Sequence, residues 1–252
     1  MYTPTSSIPD EFAGRRALVT GGSRGIGAAV AQRLIDGGAT VVTVSRTKTE
    51  DTPKDSTFVS ADLRTAEGAG AAVEQALQVL GGLDILVNNA GAARVHLDGN
   101  ISDDEWLDSL SINFLSAVRV TAAALPALQQ SEHAAIVNVS SNATVMAAPP
   151  LLHYASAKAA LDVYATGLAA GLAPKIRVNN VTPGSVETPG GTAILEEFAA
   201  AMGTTAEAMG ASLPLGRAGD SRDIAEAVAF LASDRAQWIT GENFKVDGGQ
   251  PG

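Results

Sequence analysis

The stretch RALVTGGSRGIG, running from Arg16 to Gly27, decides the fold. Arg16 to Thr20 is a short apolar run, and the alanine-rich segment Gly25 to Asp36 has a helical composition. The glycines therefore stand where a strand hands over to a helix. Glycine permits the tight turn, lets backbone approach a pyrophosphate and lets the helix lie close on the strand, while a helix N-terminus favours negative charge. The spacing is GxxxGxG rather than GxGxxG, and a glycine loop alone can be a plain turn. Its place between strand and helix gives it meaning.

Further strands are expected at Thr40 to Ser45, Thr57 to Ser60, Asp84 to Val87, Ala134 to Ser140, Lys175 to Val181 and Asn243 to Val246. Helices are expected over Thr65 to Leu80, Ser102 to Gln130, Leu152 to Ala173 and Asp220 to Ala232. This alternation predicts an α/β fold of the Rossmann type: a doubly wound seven-stranded parallel sheet with helices on both faces, in a single domain over residues 1–252. Residues 189–216, rich in glycine around a few apolar side chains, interrupt the pattern and read as short helical pieces on a mobile substrate loop or lid.

With 46% hydrophobic and 17% charged residues the chain has a core to bury. A net charge of -10, from 17 basic and 27 acidic residues, repels a phosphate backbone, so nucleic acid is not an expected partner. The lack of cysteine removes disulfides, thiolate metal sites and a cysteine nucleophile. Met1 to Phe12 lacks the basic and apolar blocks of a signal peptide, and no apolar run approaches the roughly 20 residues of a spanning helix. A cytoplasmic protein with no membrane partner is expected.

Asn88, Asn89, Ala90 and Gly91 follow the fourth strand, at the carboxyl edge where open α/β sheets bind ligands; the same residues also suit a plain turn. Asp62, followed by Leu63, stands after the third strand as an adenine contact or a helix cap. Tyr154 and Lys158 are one helical turn apart and share a face. A nearby cation lowers a phenol pKa from about 10, which would suit Tyr154 to general acid/base work. Ser141 precedes it by thirteen residues at a strand end, while side-chain alternation turns Ser140 to the other side. Asn113, a poor helix former inside a long helix, either has a task there or is a polar core residue bonded to backbone.

Ser102 to Glu105 reads as a capping box. Trp106 and Trp238 are expected in the core or an interface. His96, His133 and His153 are dispersed and lack metal-site spacing, so no metal is expected. His153 is turned about 100° from Tyr154 and is placed at the pocket mouth rather than in the chemistry.

Taken in order, the glycine loop from Thr20 to Gly27, Asn88 to Gly91, Asn113, Ser141, Tyr154 with Lys158, Pro183 Gly184, and Ile239 Thr240 Gly241 leading to Val246 Asp247 Gly248 Gly249 resemble the short-chain dehydrogenase/reductase family over nearly the whole chain. The resemblance implies an oxidoreductase that moves a hydride between a nicotinamide cofactor and an alcohol or ketone. It implies Tyr154 as proton donor or acceptor, Ser141 orienting the substrate, Lys158 binding the nicotinamide ribose and Asn113 holding the water of a proton relay. It further implies cofactor contacts at Gly21, Ser23, Arg24, Gly25, Ile26, Gly27, Ser45, Arg46, Asp62, Leu63, Asn89, Ala90, Gly91, Tyr154 and Lys158. Pro183, Gly184, Val186 and Thr188 of the PGxxxT turn complete that set. A homo-oligomer, expected as a tetramer, follows from the same resemblance, with the terminal strand and the Gly248 to Gly252 tail at an interface.

The second strand ends in Ser45 and Arg46 where a carboxylate would select a ribose 2′-hydroxyl. A guanidinium at Arg46, with Arg24, grips a 2′-phosphate instead, so NADP(H) is expected ahead of NAD(H). Ile194, Leu195, Phe198, Met202 and Met209 in the lid point to an apolar or mixed small-molecule substrate. An isomerase or dehydratase on the same fold, or a non-catalytic redox sensor, are the alternatives; the intact Asn113, Ser141, Tyr154 and Lys158 speak against a sensor.

Overall fold

A computed structural model describes Ile8 and residues 10–250. Met1 to Ser7 and Pro9 of the polar N-terminal stretch, and the last two residues of the Gly248 to Gly252 tail, lie outside the described residues. The strands are β1 (Arg16–Thr20), β2 (Thr40–Ser45), β3 (Thr57–Ser60), β4 (Ile85–Asn88), β5 (Ala135–Val139), β6 (Arg177–Pro183), β7 (Val186–Glu187), β8 (Gly219–Asp220) and β9 (Asn243–Val246). The helices are α1 (Gly25–Asp36), α2 (Ala66–Leu80), α3 (Asp103–Leu110), α4 (Ser116–Leu128), α5 (Ala143–Met146), α6 (Leu152–Leu172), α7 (Pro189–Ala201), α8 (Ala206–Ala211) and α9 (Ser221–Ala232).

Seven strands form one parallel sheet in the order β3-β2-β1-β4-β5-β6-β9, and β7 pairs with β8 apart from it. Because side chains alternate along a strand, each strand feeds two cores. Leu18, Val42, Leu86, Ile136 and Val178 pack with α2, α4 and α6, whereas Ala17, Val19, Val41, Ile85 and Val137 pack with α1 and α9. The strand order turns back between β1 and β4, which opens a crevice at their carboxyl ends.

Register adds a feature that crosses the sheet. Asn88, Asn138 and Asn180 are paired across β4, β5 and β6, and Asn180 is paired with Asn243 on β9. Their amides form a ladder: Asn88 Nδ2 donates to Asn138 Oδ1 (2.9 Å), Asn138 Nδ2 to Asn180 Oδ1 (2.9 Å), and Asn180 Nδ2 to Asn243 Oδ1 (2.6 Å) and Asp162 Oδ1 (3.1 Å). Neighbouring amides satisfy one another along the ladder, with Asn88 Oδ1 at its end left without a partner among the described residues, and this offsets most of the cost of placing polar groups inside the sheet.

Several expected boundaries move for identifiable reasons. Asp84 stands before β4 because its carboxylate accepts from Arg16 N and Nε (both 2.9 Å), Arg16 Nη2 (2.9 Å) and Ser131 Oγ (2.7 Å). The expected helix from Ser102 to Gln130 is instead α3, a π-helical turn at Ser111–Leu115 and α4. Only half of the expected capping box forms: Ser102 Oγ accepts from Glu105 N (3.3 Å), but the Glu105 carboxylate turns to Arg94. The helical run Asp103–Leu128 is, by length and composition, apolar enough to cross a bilayer, contrary to the expectation from the sequence. In the fold it is a packed element whose Val120, Ala124 and Leu128 enter the core, while Arg119 donates to the Arg64 carbonyl. Residues 189–216 hold two helices, α7 and α8, as the expected helical pieces.

Candidate active site

The glycine turn carries the geometry that its sequence demands. Gly21 and Gly25 have φ of +65° and +55°, and a Cβ at Gly27 would lie 2.2 Å from the Gly21 carbonyl oxygen, so α1 starts against the turn with no room for a side chain. Ser23, buried beside them, is braced by Thr49 and Thr52, whose hydroxyls both donate to its carbonyl. Side chains cap the N-termini of α2, α3, α7, α8 and α9, from Thr65, Ser102, Thr188, Thr205 and Asp220. That of α1 carries no side-chain cap. An uncapped helix start behind a glycine-lined turn fits the pyrophosphate of a dinucleotide. Ile26 is half-buried behind this start.

The Asn88 to Gly91 motif is spent differently from the expectation. Asn88 belongs to the ladder, and Asn89 Nδ2 donates to the carbonyls of Thr20 (3.0 Å) and Gly21 (3.2 Å). Thr20 Oγ1 in turn accepts from Asn89 N and Ala90 N at 3.0 and 3.1 Å. The Asn89 side chain thus holds the glycine turn, leaving backbone at Asn89, Ala90 and Gly91 to face the crevice. Asp62 does not cap α2, since Thr65 does; its carboxylate accepts from Arg64 N (3.0 Å) and stays half-exposed. The Leu63 side chain is core, so only its backbone is open to a ligand.

Lys158, buried on α6, donates from Nζ to the Val139 carbonyl (2.8 Å) and lies 6.0 Å from the Tyr154 ring centre. Burial lowers its pKa to about 8, with Asp162 opposing. The expected depression of the Tyr154 pKa relied on Lys158 together with an oxidised nicotinamide; in the protein alone the balance runs the other way. Burial pushes the phenol above its usual value, and the Ser141 hydroxyl only partly opposes this. Such a tyrosine holds its proton at neutral pH, the state of a proton donor. Ser141, just past β5, also accepts from Ala143 N (3.2 Å); Ser140 is buried on the other side, facing Asp162.

Asn113 lies in the π-helical turn, a distortion often found at functional sites. Its amide bonds mainly to one residue: Oδ1 accepts from Ala92 N (2.9 Å) and Nδ2 donates to Ala92 O (2.8 Å), with a further bond from Nδ2 to Ser109 Oγ (3.2 Å). The side chain is therefore the backbone-bonded polar residue of the simpler reading. A Cβ at Gly91 would lie 2.8 Å from Asn113 Oδ1 and 3.4 Å from Lys158 Nζ, so three parts of the sequence meet at this glycine.

Across the crevice, Thr188 comes within van der Waals reach of the Gly25 position while its hydroxyl caps α7 by accepting from Gly191 N (2.9 Å). Pro183 ends β6, Gly184 packs against Asp247, and Val186 is held in the β7–β8 pair. Ser45 Oγ donates to the Thr47 carbonyl (2.8 Å). Arg24 and Arg46 are exposed and make no salt bridge among the described residues.

The family profile described as enoyl-(acyl carrier protein) reductase matches residues 21–250. The 3-oxoacyl-(acyl-carrier-protein) reductase FabG of Escherichia coli is 37% identical over 251 residues, covering 94% of this chain and 98% of the relative. The chain belongs to the short-chain dehydrogenase/reductase family. It is a nicotinamide-dependent oxidoreductase. Solved structures agree across the fold. A short-chain dehydrogenase/reductase from Brucella melitensis, described as a glucose/ribitol dehydrogenase, superposes with TM-score 0.86 at 32% identity, over 96% of this chain and 98% of that one. A short-chain dehydrogenase from Burkholderia cenocepacia in complex with NADP gives 0.83 at 32% identity, over 95% and 98%.

The structure also gathers residues that the sequence keeps apart. His96 and His153, two of the three dispersed histidines, meet Glu105 beside the crevice. His133 is elsewhere, 3.4 Å from Asp234. Trp238 is fully exposed, which removes it from the core; Trp106 packs edge-on to His153 at 6.3 Å.

Proposed function

We propose that this enzyme is an NADP(H)-dependent reductase of ketones borne on apolar or mixed small molecules. The observation that carries the reading is the convergence of Ser141, Tyr154 and Lys158 on the carboxyl edge of β5, facing the uncapped start of α1. When bound, the nicotinamide supplies the hydride. Ser141 donates a hydrogen bond to the carbonyl oxygen and sets its position, and Tyr154 gives that oxygen its proton. Lys158, fixed by the Val139 carbonyl, holds the nicotinamide ribose and restores the charge balance around the phenol. Asn113 acts through the backbone that it clamps, fixing Gly91 and Ala92 beside Lys158.

NADP(H) is preferred because Ser45 puts no carboxylate at the end of β2, while Arg46 and Arg24 offer guanidinium groups for a 2′-phosphate. The Burkholderia relative solved with NADP supports this preference. The α7–α8 segment serves as the substrate lid, with Ile194, Leu195 and Phe198 half-buried on its first helix. The enzyme works in the cytoplasm as a homo-oligomer, expected as a tetramer. Val163 on α6 (75% exposed) and Phe244 on the edge strand β9 are apolar side chains that a second copy would cover. Oxidation of NADPH and NADH with a panel of 3-oxo thioesters, cyclic ketones and linear ketones tests the reading. Turnover with NADPH ahead of NADH on apolar ketones is expected; cofactor binding without turnover of any carbonyl would make the protein a sensor instead.

A further inference from the structure

We propose that His96, Glu105 and His153 form a binding site for one divalent transition-metal ion of the zinc type, which Arg94 closes by pairing with Glu105 when no metal is bound. The three residues come from the loop after β4, the first turn of α3 and the first turn of α6, and their ligand atoms all lie within 4.8 Å of one another. Two imidazoles with one carboxylate are a donor set for zinc, nickel or copper rather than for magnesium or calcium, which take oxygen ligands.

The first observation is that the donors are unspent. His153 is fully buried, yet among the described residues neither its Nδ1 nor its Nε2 has a hydrogen-bond partner, and the buried Nε2 of His96 has none. Buried polar atoms are seldom left this way, because each loses its water without compensation. Two imidazoles with orphaned nitrogens, set edge to face at 5.2 Å, point to a missing ligand.

Distances give the second. A tetrahedral zinc centre with bonds of about 2.0–2.1 Å sets neighbouring donors about 3.3 Å apart. His153 Nε2 and Glu105 Oε1 are already 3.4 Å apart without hydrogen-bond geometry. His96, on the loop after β4, must approach by up to about 1.5 Å to complete the centre. The loop is itself anchored, since His96 N donates to the Pro150 carbonyl (3.1 Å) just ahead of α6. The fourth position is left to water.

Arg94 is the competitor. Its Nη1 donates to Glu105 Oε1 (2.6 Å), the same oxygen that faces His153, and its Nη2 to Asp108 Oδ2 (2.9 Å). The side chain is 48% exposed, so it can release Glu105 and keep Asp108. Metal binding thus exchanges one cation for another on Glu105. The bound ion would tie the loop and α3 to the turn of α6 that carries Tyr154.

Calorimetric titration of the intact protein with Zn2+ tests the site, with Co2+ quenching of Trp106 as a local readout because that ring lies 6.3 Å from His153. Wild type should take up one Zn2+ per chain and gain Tm with Zn2+ concentration. His96→Ala and Glu105→Gln, which spare the fully buried His153, should each weaken binding about tenfold or more, whereas His133→Ala should leave it unchanged. Arg94→Ala should tighten it. Absence of saturable binding in wild type, or binding that survives both His96→Ala and Glu105→Gln, overturns the site; unchanged or weaker binding in Arg94→Ala overturns the gate.

Discussion

Asn113 grips both backbone polar groups of Ala92, accepting from the nitrogen at 2.9 Å and donating to the oxygen at 2.8 Å. This two-point clamp fixes the backbone just past Gly91, where there is no space for a Cβ between Asn113 and Lys158. Asn113→Ala removes both bonds at once, together with the one from Nδ2 to Ser109 Oγ (3.2 Å). The expected loss is about 1–3 kcal/mol of stability, seen as a lower denaturation midpoint. Cofactor affinity should fall with it, since the crevice wall loosens; a variant as stable as wild type would remove the clamp from the account.

Tyr154→Phe deletes the phenolic proton and little else. Turnover should fall by about 100-fold to 10,000-fold while the dissociation constant of NADPH stays within about twofold. Lys158→Met should behave differently, weakening NADPH binding as well as turnover, if its ammonium holds the ribose as proposed. Steady-state rates combined with calorimetry on the cofactor alone separate the two.

Arg46→Ala should raise KM for NADPH about tenfold, the equivalent of about 1.4 kcal/mol of phosphate binding, and leave KM for NADH within about twofold. Adding Arg24→Ala should erase the preference. An NADPH preference that outlives the double substitution would place the phosphate contact elsewhere.

Asp84 ties β1 to the start of β4 through Arg16 and Ser131, and its pKa is lowered to about 2 although burial opposes the shift. A carboxylate whose folded pKa lies below the unfolded value stabilises the fold above the unfolded pKa and loses that contribution as pH falls through the folded one. Asp84→Asn should therefore cost on the order of 2 kcal/mol at neutral pH, with the gap to wild type closing between about pH 4 and pH 2. Chemical denaturation across that range checks the sign as well as the size.

What the sequence by itself determined is whatever depends on near neighbours. The strand runs, the glycine turn ahead of α1 and the shared face of Tyr154 and Lys158 follow from periods of two and 3.6 residues and from the φ values open to glycine. These short-range rules placed the seven strands of the main sheet nearly residue for residue, and they set Ser141 apart from Ser140. Tertiary structure decided what depends on distant segments meeting. The ladder from Asn88 to Asn243 exists because strand register aligns four asparagines from four segments. Asn89 turned out to hold the glycine turn because β1 and β4 are neighbours in the sheet. Tyr154 keeps its proton because packing removes it from water, which outweighs the neighbours that sequence spacing suggested. His96, Glu105 and His153 are dispersed along the chain, and only the packing of a loop and α3 against α6 brings their donor atoms together, since no local period links positions so far apart.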